Sequence, residues 1–364
     1  MKRLFAGMTA ALLAVILVFS FPANAMSAQS AILMDCTTGR VLYEKQPDQR
    51  SLIASTTKIM TALVVCEQCN VLDRVRIPKE AVGIEGSSLY LREGEVLTIQ
   101  ELLYGMMLHS GNDAAVALAV YCGGTVEGFS QMMNDKARLL GMENTHFENP
   151  NGLDGANHYS TARDLGILAA YAMKNPIFAK IVSTKTVRIG ERYLRNHNKL
   201  LWQLEGADGV KTGYTRAAGR ILVSSAQRGG RRLVAVTIAA PNDWHDHMSL
   251  MESGFSRYSM QTIVQKNDVL GSVEIAGGKA DCVELIAREE FSYSLSQNEH
   301  VQICLPTPGF VYAPVVCGQD AGFAHFYLDD QWIGSVPLMF GDTVEQLQTP
   351  PPNPWERLFG GNRI

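Results

Sequence analysis

The spacing of apolar residues along this 364-residue chain is helical in much of the first two thirds and strand-like in the last third. Residues 30–45 alternate around a turn at 37–39, which predicts a β-hairpin. Several longer segments carry apolar side chains at intervals of three and four residues, and Thr98 with Glu101 predicts a capping box at the start of one of them. The predicted helices cover 51–65, 98–108, 112–121, 129–140, 160–171 and 244–258.

Strand signals begin at residue 208. A strand is predicted over 209–215, two apolar runs follow at 220–226 and 233–240, and the Arg-Gly-Gly-Arg sequence at 228–231 predicts a hairpin between these two runs. Runs that are almost continuously apolar are typical of central strands covered on both faces. Beyond residue 262, short alternating runs predict a small all-β domain. Its expected strands are 269–275, 282–287, 301–305, 310–316, 325–328 and 333–338.

The first 25 residues have the pattern of a secretory signal peptide, with Lys2 and Arg3, an apolar stretch over 4–21 and a site ending at Ala25. We expect cleavage before Met26 and an exported, extracytoplasmic protein, with an uncleaved membrane anchor as the alternative. No other segment has the length and apolarity of a membrane span. The proline-rich stretch 349–354 and the short tail after it predict at most peripheral membrane association.

Removal of the signal peptide changes the formal net charge from −4 to −6 and leaves 339 residues, a length that suggests two domains. A mildly acidic chain without a basic stripe argues against a nucleic-acid partner. His245 and His247 do not share a face of the predicted helix, so we expect no metal site and no cofactor.

All seven cysteines lie after residue 25, and an odd number leaves at least one thiol unpaired. Cys66 and Cys69 form a CxxC pair, but no second such pair or neighbouring histidine pair completes a zinc site. We expect most of the thiols to be free and buried. One disulfide among Cys282, Cys304 and Cys317 is left open.

The most informative chemistry lies at the start of the first predicted helix. Ser55 and Lys58 are one turn apart on one face, where an amine can take a hydroxyl proton. An unperturbed lysine titrates near about pH 10.4, so a lysine base needs a lowered pKa, and burial together with a second cation, Lys211, lowers it. The pattern predicts Ser55 as a nucleophile and Lys58 as its base.

Two further motifs lie downstream, Ser110–Asn112 between two predicted helices and Lys211–Gly213 in a predicted strand. The SxxK, SxN and KTG motifs in this order are those of penicillin-binding proteins and class A β-lactamases. In this arrangement Ser110 and Asn112 pass the proton to the leaving amine and hold the substrate amide. Three motifs in the right order are far more specific than one.

The KTG strand is expected to bind substrate. Lys211 and Thr212 meet a carboxylate, and Gly213 lets a peptide backbone approach as an added strand. The backbone N–H groups of Ser55 and Tyr214 hold the oxyanion of the reaction.

With these residues in place, the chain resembles the low-molecular-mass penicillin-binding proteins that are serine-type D-alanyl-D-alanine carboxypeptidases. The resemblance covers the sequences ASTTK, HSGND, FENPNGLD and DGVKTGYT and the β-domain. It implies an α/β (α+β) fold with an antiparallel sheet flanked by helices, the penicillin-binding and β-lactamase-like transpeptidase domain, followed by a small all-β domain. The expected organisation is a signal peptide (1–25), a carboxypeptidase domain (26–262), a β-sandwich-like domain (263–345) and a linker with a tail (346–364).

The same resemblance implies that Ser55 is acylated by the penultimate D-alanine of a peptidoglycan stem pentapeptide, with release of the terminal D-alanine. It also implies covalent inhibition by β-lactam antibiotics. The chain departs from the family pattern at residues 196–198, where His197 replaces an expected arginine, and Arg216 is the candidate for the missing carboxylate contact. The alternatives are a β-lactamase, with Glu148 as the candidate carboxylate, and a catalytically silent wall-binding protein.

Overall fold

The structure is a computed structural model that describes residues 26–348; the predicted signal peptide and the part of the predicted tail from residue 349 onward lie outside the described residues. The helices are α1 (Lys58–Gln68), α2 (Ile99–Leu108), α3 (Asn112–Gly123), α4 (Val126–Leu139), α5 (Ala162–Ala172), α6 (Pro176–Ser183), α7 (Leu200–Gln203) and α8 (Asp243–Arg257). The first nine strands are β1 (Ser30–Asp35), β2 (Val41–Lys45), β3 (Arg74–Arg76), β4 (Val96–Thr98), β5 (Thr186–Ile189), β6 (Arg192–Arg195), β7 (Ala207–Thr215), β8 (Gly219–Arg228) and β9 (Arg231–Ile238).

A five-stranded antiparallel sheet organises this part of the chain, in the order β2-β1-β9-β8-β7. The two hairpins predicted at 30–45 and 228–231 are confirmed. The apolar runs of β8 and β9 are buried because both faces of the sheet are covered, by α8 on one side and by the helices around α1 on the other. Strand β7, which carries the KTG motif, is left at the edge of the sheet.

Local sequence signals explain where the helices begin. The capping box predicted at Thr98 and Glu101 is present at the start of α2. Helix α5 begins after Thr161, whose side chain accepts a hydrogen bond from the Asp164 N–H. Helix α6 was not predicted, although Asn175 caps it and Pro176 occupies its first turn, a combination that favours a helix start.

Helix α1 is almost completely enclosed, since its first eight residues are buried among the neighbouring helices. Its weak amphipathicity follows from this position, because a helix that is covered all round needs no polar face. Within residues 26–348 no single helix is long and apolar enough to cross a membrane. Helices α5 and α6 together have the required length and apolarity, but a bend of 108° separates them.

The all-β part that follows contains two strand groups. Its strands are β10 (Tyr258–Val264), β11 (Val269–Ala276), β12 (Cys282–Ala287), β13 (Phe291–Ser296), β14 (Gln302–Cys304), β15 (Phe310–Tyr312), β16 (Asp320–Leu328) and β17 (Gln331–Phe340). Six of them form a sheet in the order β14-β16-β17-β12-β11-β15, and β10 pairs with β13. The strands β10 and β13, which pair with each other, were not predicted. The α/β (α+β) fold class with a separate all-β part is confirmed.

Arg40 joins the two parts. Its guanidinium forms an ion pair with Glu299, donates to the Ser294 carbonyl and lies over the rings of Tyr258 and Tyr293. All seven cysteines lie within the described residues and all are free, so the possible disulfide among Cys282, Cys304 and Cys317 is not formed in this structure. The expectation that most thiols are buried is wrong, because four are partly exposed and these three are exposed.

Candidate active site

Ser55 lies on a 3-10 turn, Ala54–Thr57, that leads directly into α1, so the helix predicted over 51–65 begins later than expected, at Lys58. Thr56 fixes this turn, because both its N–H and its hydroxyl donate to the Ile53 carbonyl, at 3.2 and 2.6 Å. Lys58 is the first residue of α1, and its Nζ lies 2.9 Å from Ser55 Oγ. The expected pairing of hydroxyl and amine is therefore present, with Ser55 half-buried and Lys58 fully enclosed.

The hydrogen-bond partners of Lys58 are compatible with a neutral amine. Its Nζ donates to Asn112 Oδ1 at 2.6 Å and to the Asn151 carbonyl at 2.5 Å, and both oxygens are pure acceptors. A neutral amine has two N–H groups and one lone pair. With both N–H groups engaged by these oxygens, the lone pair of a neutral Lys58 is directed at the third neighbour, the Ser55 hydroxyl.

The electrostatics favour the same state. Burial lowers the pKa of Lys58 well below its ordinary value, and the positive charge of Lys211 lowers that pKa further. Burial also lowers the pKa of Lys211, to about 7. The Lys211 ammonium donates to the Thr212 carbonyl at 2.9 Å.

The Ser110–Asn112 motif forms the turn between α2 and α3. Ser110 adopts a positive φ of 66° in this turn. Gly111 is required for lack of space, because a Cβ at this position would lie 2.9 Å from Asp113 Oδ1. Asn112 Nδ2 donates to the Glu85 carbonyl, which fixes the amide so that its oxygen points at Lys58. Ser110 faces the open cleft while Asn112 lies behind it.

Strand β7 forms the opposite wall. Thr212, Gly213 and Tyr214 line the cleft, and Lys211 is buried beneath it. A Cβ on Gly213 would come within 3.2 Å of the Ile53 carbonyl and 3.3 Å of Thr56. Glycine at this position therefore allows β7 to pack directly against the turn that carries Ser55.

The cleft has a volume of about 630 Å³ and brings Ser55, Ser110 and the β7 residues to one opening. His197, Arg220 and Trp244 also line it. Arg216 is exposed in the turn after β7 and is not among the lining residues, so the sequence-based choice of Arg216 for a carboxylate contact is not supported.

The loop at 147–155 contributes a contact that the sequence did not reveal. The Asn151 carbonyl accepts a hydrogen bond from Lys58, and Gly152 adopts φ of +86° so close to the turn that a Cβ would lie 1.9 Å from the Ala54 carbonyl oxygen. His158 holds the other side, with Nε2 2.7 Å from Thr57 Oγ1. The density of turn-forming residues in this loop was the available signal.

The two histidines near the start of α8 have different surroundings, since His245 lines the cleft and His247 is buried. His247 is buried between the hydroxyls of Ser224 and Thr237, at 2.6 and 2.9 Å, and burial lowers its pKa to about 3. No cluster of three or more metal-binding side chains occurs in the part of the chain from Met26 to Gln348.

The sequence of this chain matches two known protein families. A family described as D-alanyl-D-alanine carboxypeptidase matches residues 18–242, and a second, described as the C-terminal domain of penicillin-binding protein 5, matches residues 258–346. The chain is 34% identical over 330 residues to the D-alanyl-D-alanine carboxypeptidase DacF of Bacillus subtilis, covering 86% of this chain and 85% of that protein.

Two solved structures extend the comparison. Penicillin-binding protein 5 from Haemophilus influenzae superposes with a TM-score of 0.77 at 30% identity, covering 90% of this chain and all of that one. The Streptomyces K15 DD-transpeptidase superposes with a TM-score of 0.62 at 37% identity, covering 64% of this chain and 98% of that one. With the family matched over most of the first 242 residues, the chain belongs to the serine-type D-alanyl-D-alanine carboxypeptidases.

Proposed function

We propose that Ser55 is the nucleophile and Lys58 the general base of this carboxypeptidase. The single observation that supports these roles best is the arrangement around Lys58 Nζ, where two carbonyl oxygens accept its two N–H groups and the Ser55 hydroxyl occupies the third direction. Lys58 takes the Ser55 proton as Oγ attacks the carbonyl carbon of the penultimate D-alanine.

The tetrahedral intermediate then collapses to an acyl-enzyme. The proton moves to the leaving nitrogen by way of Ser110, and the terminal D-alanine departs as a free amino acid. Asn112 orients Lys58 and holds the substrate amide. Water hydrolyses the ester on Ser55, with Lys58 accepting a proton from the water and returning one to the serine.

Substrate binding is assigned to β7. The edge position of this strand supports addition of the peptide as a further strand, with Gly213 permitting the close approach of β7 to the Ser55 turn. The Thr212 hydroxyl faces the substrate, Lys211 supplies a buried positive charge, and the N–H groups of Ser55 and Tyr214 hold the oxyanion.

The substrate that fits this chemistry is a peptidoglycan stem pentapeptide, and β-lactam antibiotics are the covalent inhibitors. This substrate and the sequence pattern of residues 1–25 support export, with the mature chain beginning at Met26. The boundary predicted between residues 262 and 263 falls inside β10 (Tyr258–Val264), which pairs with β13. We therefore take the carboxypeptidase domain to end before Tyr258 and the β-domain to begin there. The tail supports at most peripheral membrane contact.

The β-lactamase alternative needs a carboxylate that drives deacylation. Glu148 is not among the residues that line the cleft; its backbone N–H donates to His158 Nδ1 and its carbonyl accepts from Ser130 Oγ. These contacts give it a place in loop structure rather than next to Ser55. The intact pairing of Ser55 with Lys58 argues against a catalytically silent protein.

Mass spectrometry after incubation with benzylpenicillin tests the proposal. We expect one adduct, mapped to the peptide that contains Ser55, together with release of D-alanine from a stem pentapeptide. Ser55→Ala should form no adduct, and Lys58→Ala should form it at least about 1,000-fold more slowly. An adduct on another residue, or acylation of Lys58→Ala at the parent rate, contradicts the assignment. Rapid penicillin turnover favours the β-lactamase alternative.

A further inference from the structure

A peptide that ends in a free carboxylate brings a negative charge into the cleft, and a cation with unused donors is needed to bind it. Lys58 cannot serve, because its Nζ is already surrounded by Ser55, Asn112 and Asn151. His197 lines the cleft, but burial, followed by the charge of Lys211, lowers its pKa to about 4, so it is neutral near pH 7.

Strand geometry directs Lys211 away from Thr212 and Tyr214. Successive side chains of a strand point to opposite faces, so Lys211 and Gly213 face the turn that carries Ser55, while Thr212 and Tyr214 face the α8 side. In the antiparallel register Tyr214 is paired with Arg220 of β8. Arg220 therefore lies on the same face as Thr212 and diagonally adjacent to it.

Arg220 is held in place by α8. Its Nη2 donates to both carboxylate oxygens of Asp243, each at 2.9 Å, and the Asp243 side chain is only 3% exposed while that of Arg220 is 43% exposed. The guanidinium also lies 5.7 Å from the centre of the Trp244 ring. One nitrogen thus satisfies the buried carboxylate, and the Nε and Nη1 donors stay available on a side chain that lines the cleft.

We propose that Arg220, positioned by Asp243, binds the C-terminal carboxylate of the substrate together with the Thr212 hydroxyl. The inference rests on the proposed function and names the specificity-determining residue of that site. An arginine that is fixed on one side by a buried carboxylate can present its remaining N–H groups to a second carboxylate without a large loss of side-chain entropy. The N-terminus of α8 adds a favourable dipole at the same place.

The test compares two substrates in each protein variant: an acyl-D-alanyl-D-alanine peptide with its free carboxylate, and the same peptide with a C-terminal amide. For Arg220→Gln we expect kcat/KM for the free carboxylate to fall by about 30- to 100-fold, with the amide unchanged within about twofold. Arg220→Lys should recover part of the preference, since it restores a charge but not the planar pair of donors. The ratio of kcat/KM for the free-carboxylate peptide to kcat/KM for the amide does not depend on the fraction of folded enzyme.

Arg216→Gln is the matched control, an exposed arginine four residues away that does not line the cleft, and its ratio should equal that of the parent. Asp243→Asn should lower the ratio without removing the guanidinium. Lys199 also lines the cleft and is the competing cation. The inference is overturned if Arg220→Gln keeps the parent ratio, and Lys199 replaces Arg220 in the assignment if Lys199→Gln then loses the preference. If the parent enzyme neither releases D-alanine nor forms the Ser55 adduct, the proposed function is overturned as well. If Arg220→Gln still forms the adduct at saturating benzylpenicillin, its acylation residues are intact and the effect of the substitution concerns substrate binding.

Discussion

Replacement of Lys211 by methionine should stabilise the folded protein while it disables the enzyme. Burial lowers the pKa of Lys211 from 10.5 to about 7, and each unit of that difference corresponds to about 1.4 kcal/mol. Keeping Lys211 charged in the folded state therefore costs about 5 kcal/mol. Methionine has a similar length and no charge, so it removes this cost and loses one hydrogen bond to the Thr212 carbonyl.

The sign and the pH range of the effect follow from proton linkage. Below about pH 7 the lysine is protonated in both the folded and the unfolded chain, so the full cost is present. Between pH 7 and 10.5 only the unfolded chain is protonated, and the cost falls steadily, to about 2 kcal/mol at pH 9. Above pH 10.5 it vanishes.

Urea unfolding of the parent and of Lys211→Met at pH 6 and pH 9 measures this difference, because contributions from titrating groups that do not interact with Lys211 cancel between the two proteins. Lys58 and His197, whose pKa values the charge of Lys211 lowers, add to the stabilisation of the variant in the same direction. We expect the variant to be more stable by about 5 kcal/mol at pH 6 and about 2 kcal/mol at pH 9. Lys79→Met, at an exposed position, is the control and should stay within about 0.5 kcal/mol of the parent. Acylation by benzylpenicillin should fall at least about 100-fold in Lys211→Met. A stability difference that is equal at the two pH values, or a destabilised variant at pH 6, refutes the reasoning.

Three other substitutions test separate contacts. Gly152→Ala places a Cβ 1.9 Å from the Ala54 carbonyl oxygen, so penicillin acylation followed by stopped-flow should slow at least about tenfold. Asn112→Ala removes one of the two acceptors of the Lys58 N–H groups and should slow acylation about 100-fold in the same assay. Arg40→Ala removes the ion pair with Glu299, and limited proteolysis should then cleave between the two parts of the chain faster while acylation stays unchanged.

Each of these expectations has a contrary outcome. Parent-rate acylation in Gly152→Ala means that the loop moves without disturbing the Ser55 turn. Unchanged acylation in Asn112→Ala means that Lys58 is oriented by the Asn151 carbonyl alone. Slower acylation in Arg40→Ala means that the contact between the two parts of the chain affects the acylation rate. We do not expect this, because the contacts of Arg40 are with residues of the all-β part.

The sequence was sufficient wherever the signal is local. The Ser55 and Lys58 pair is set by the 3-10 turn that leads into α1, the Thr98 capping box by neighbouring side chains, and the β8 and β9 hairpin by two adjacent glycines. In each case the residues that determine the geometry are within a few positions of one another. Local propensity and final structure agree at these sites, which is the condition under which sequence patterns predict structure well.

Contacts between distant segments could not be predicted. The hydrogen bond from Lys58 to the Asn151 carbonyl joins residues 93 positions apart through a backbone group, which has no side-chain signature. The choice between Arg216 and Arg220 depends on strand register and on Asp243, 23 positions further along the chain. A one-residue change of register would turn Arg220 to the other face of the sheet.

The two lysines of the site also influence each other, and substrate should strengthen that coupling. A carboxylate in the cleft raises the pKa of Lys211 through its negative charge, even without direct contact, so Lys211 becomes more fully charged near neutral pH. A charged Lys211 in turn lowers the pKa of Lys58 toward the neutral form that can act as a base. We expect this effect to outweigh the direct upward effect of the carboxylate on the pKa of Lys58, because Lys211 is buried whereas the carboxylate lies in the open cleft, where solvent screens charges more strongly.

In single-turnover acylation, the rate falls at acidic pH where Lys58 becomes protonated. This acidic limb of the pH–rate profile should lie at lower pH at saturating substrate, which reports the bound enzyme, than at low substrate concentration, which reports the free enzyme. Lys211→Met should abolish the separation between the two limbs because no charge remains to be increased. If the saturated limb lies at the same pH or higher in the parent enzyme, the charge on Lys211 does not respond to substrate, and burial alone must keep Lys58 neutral.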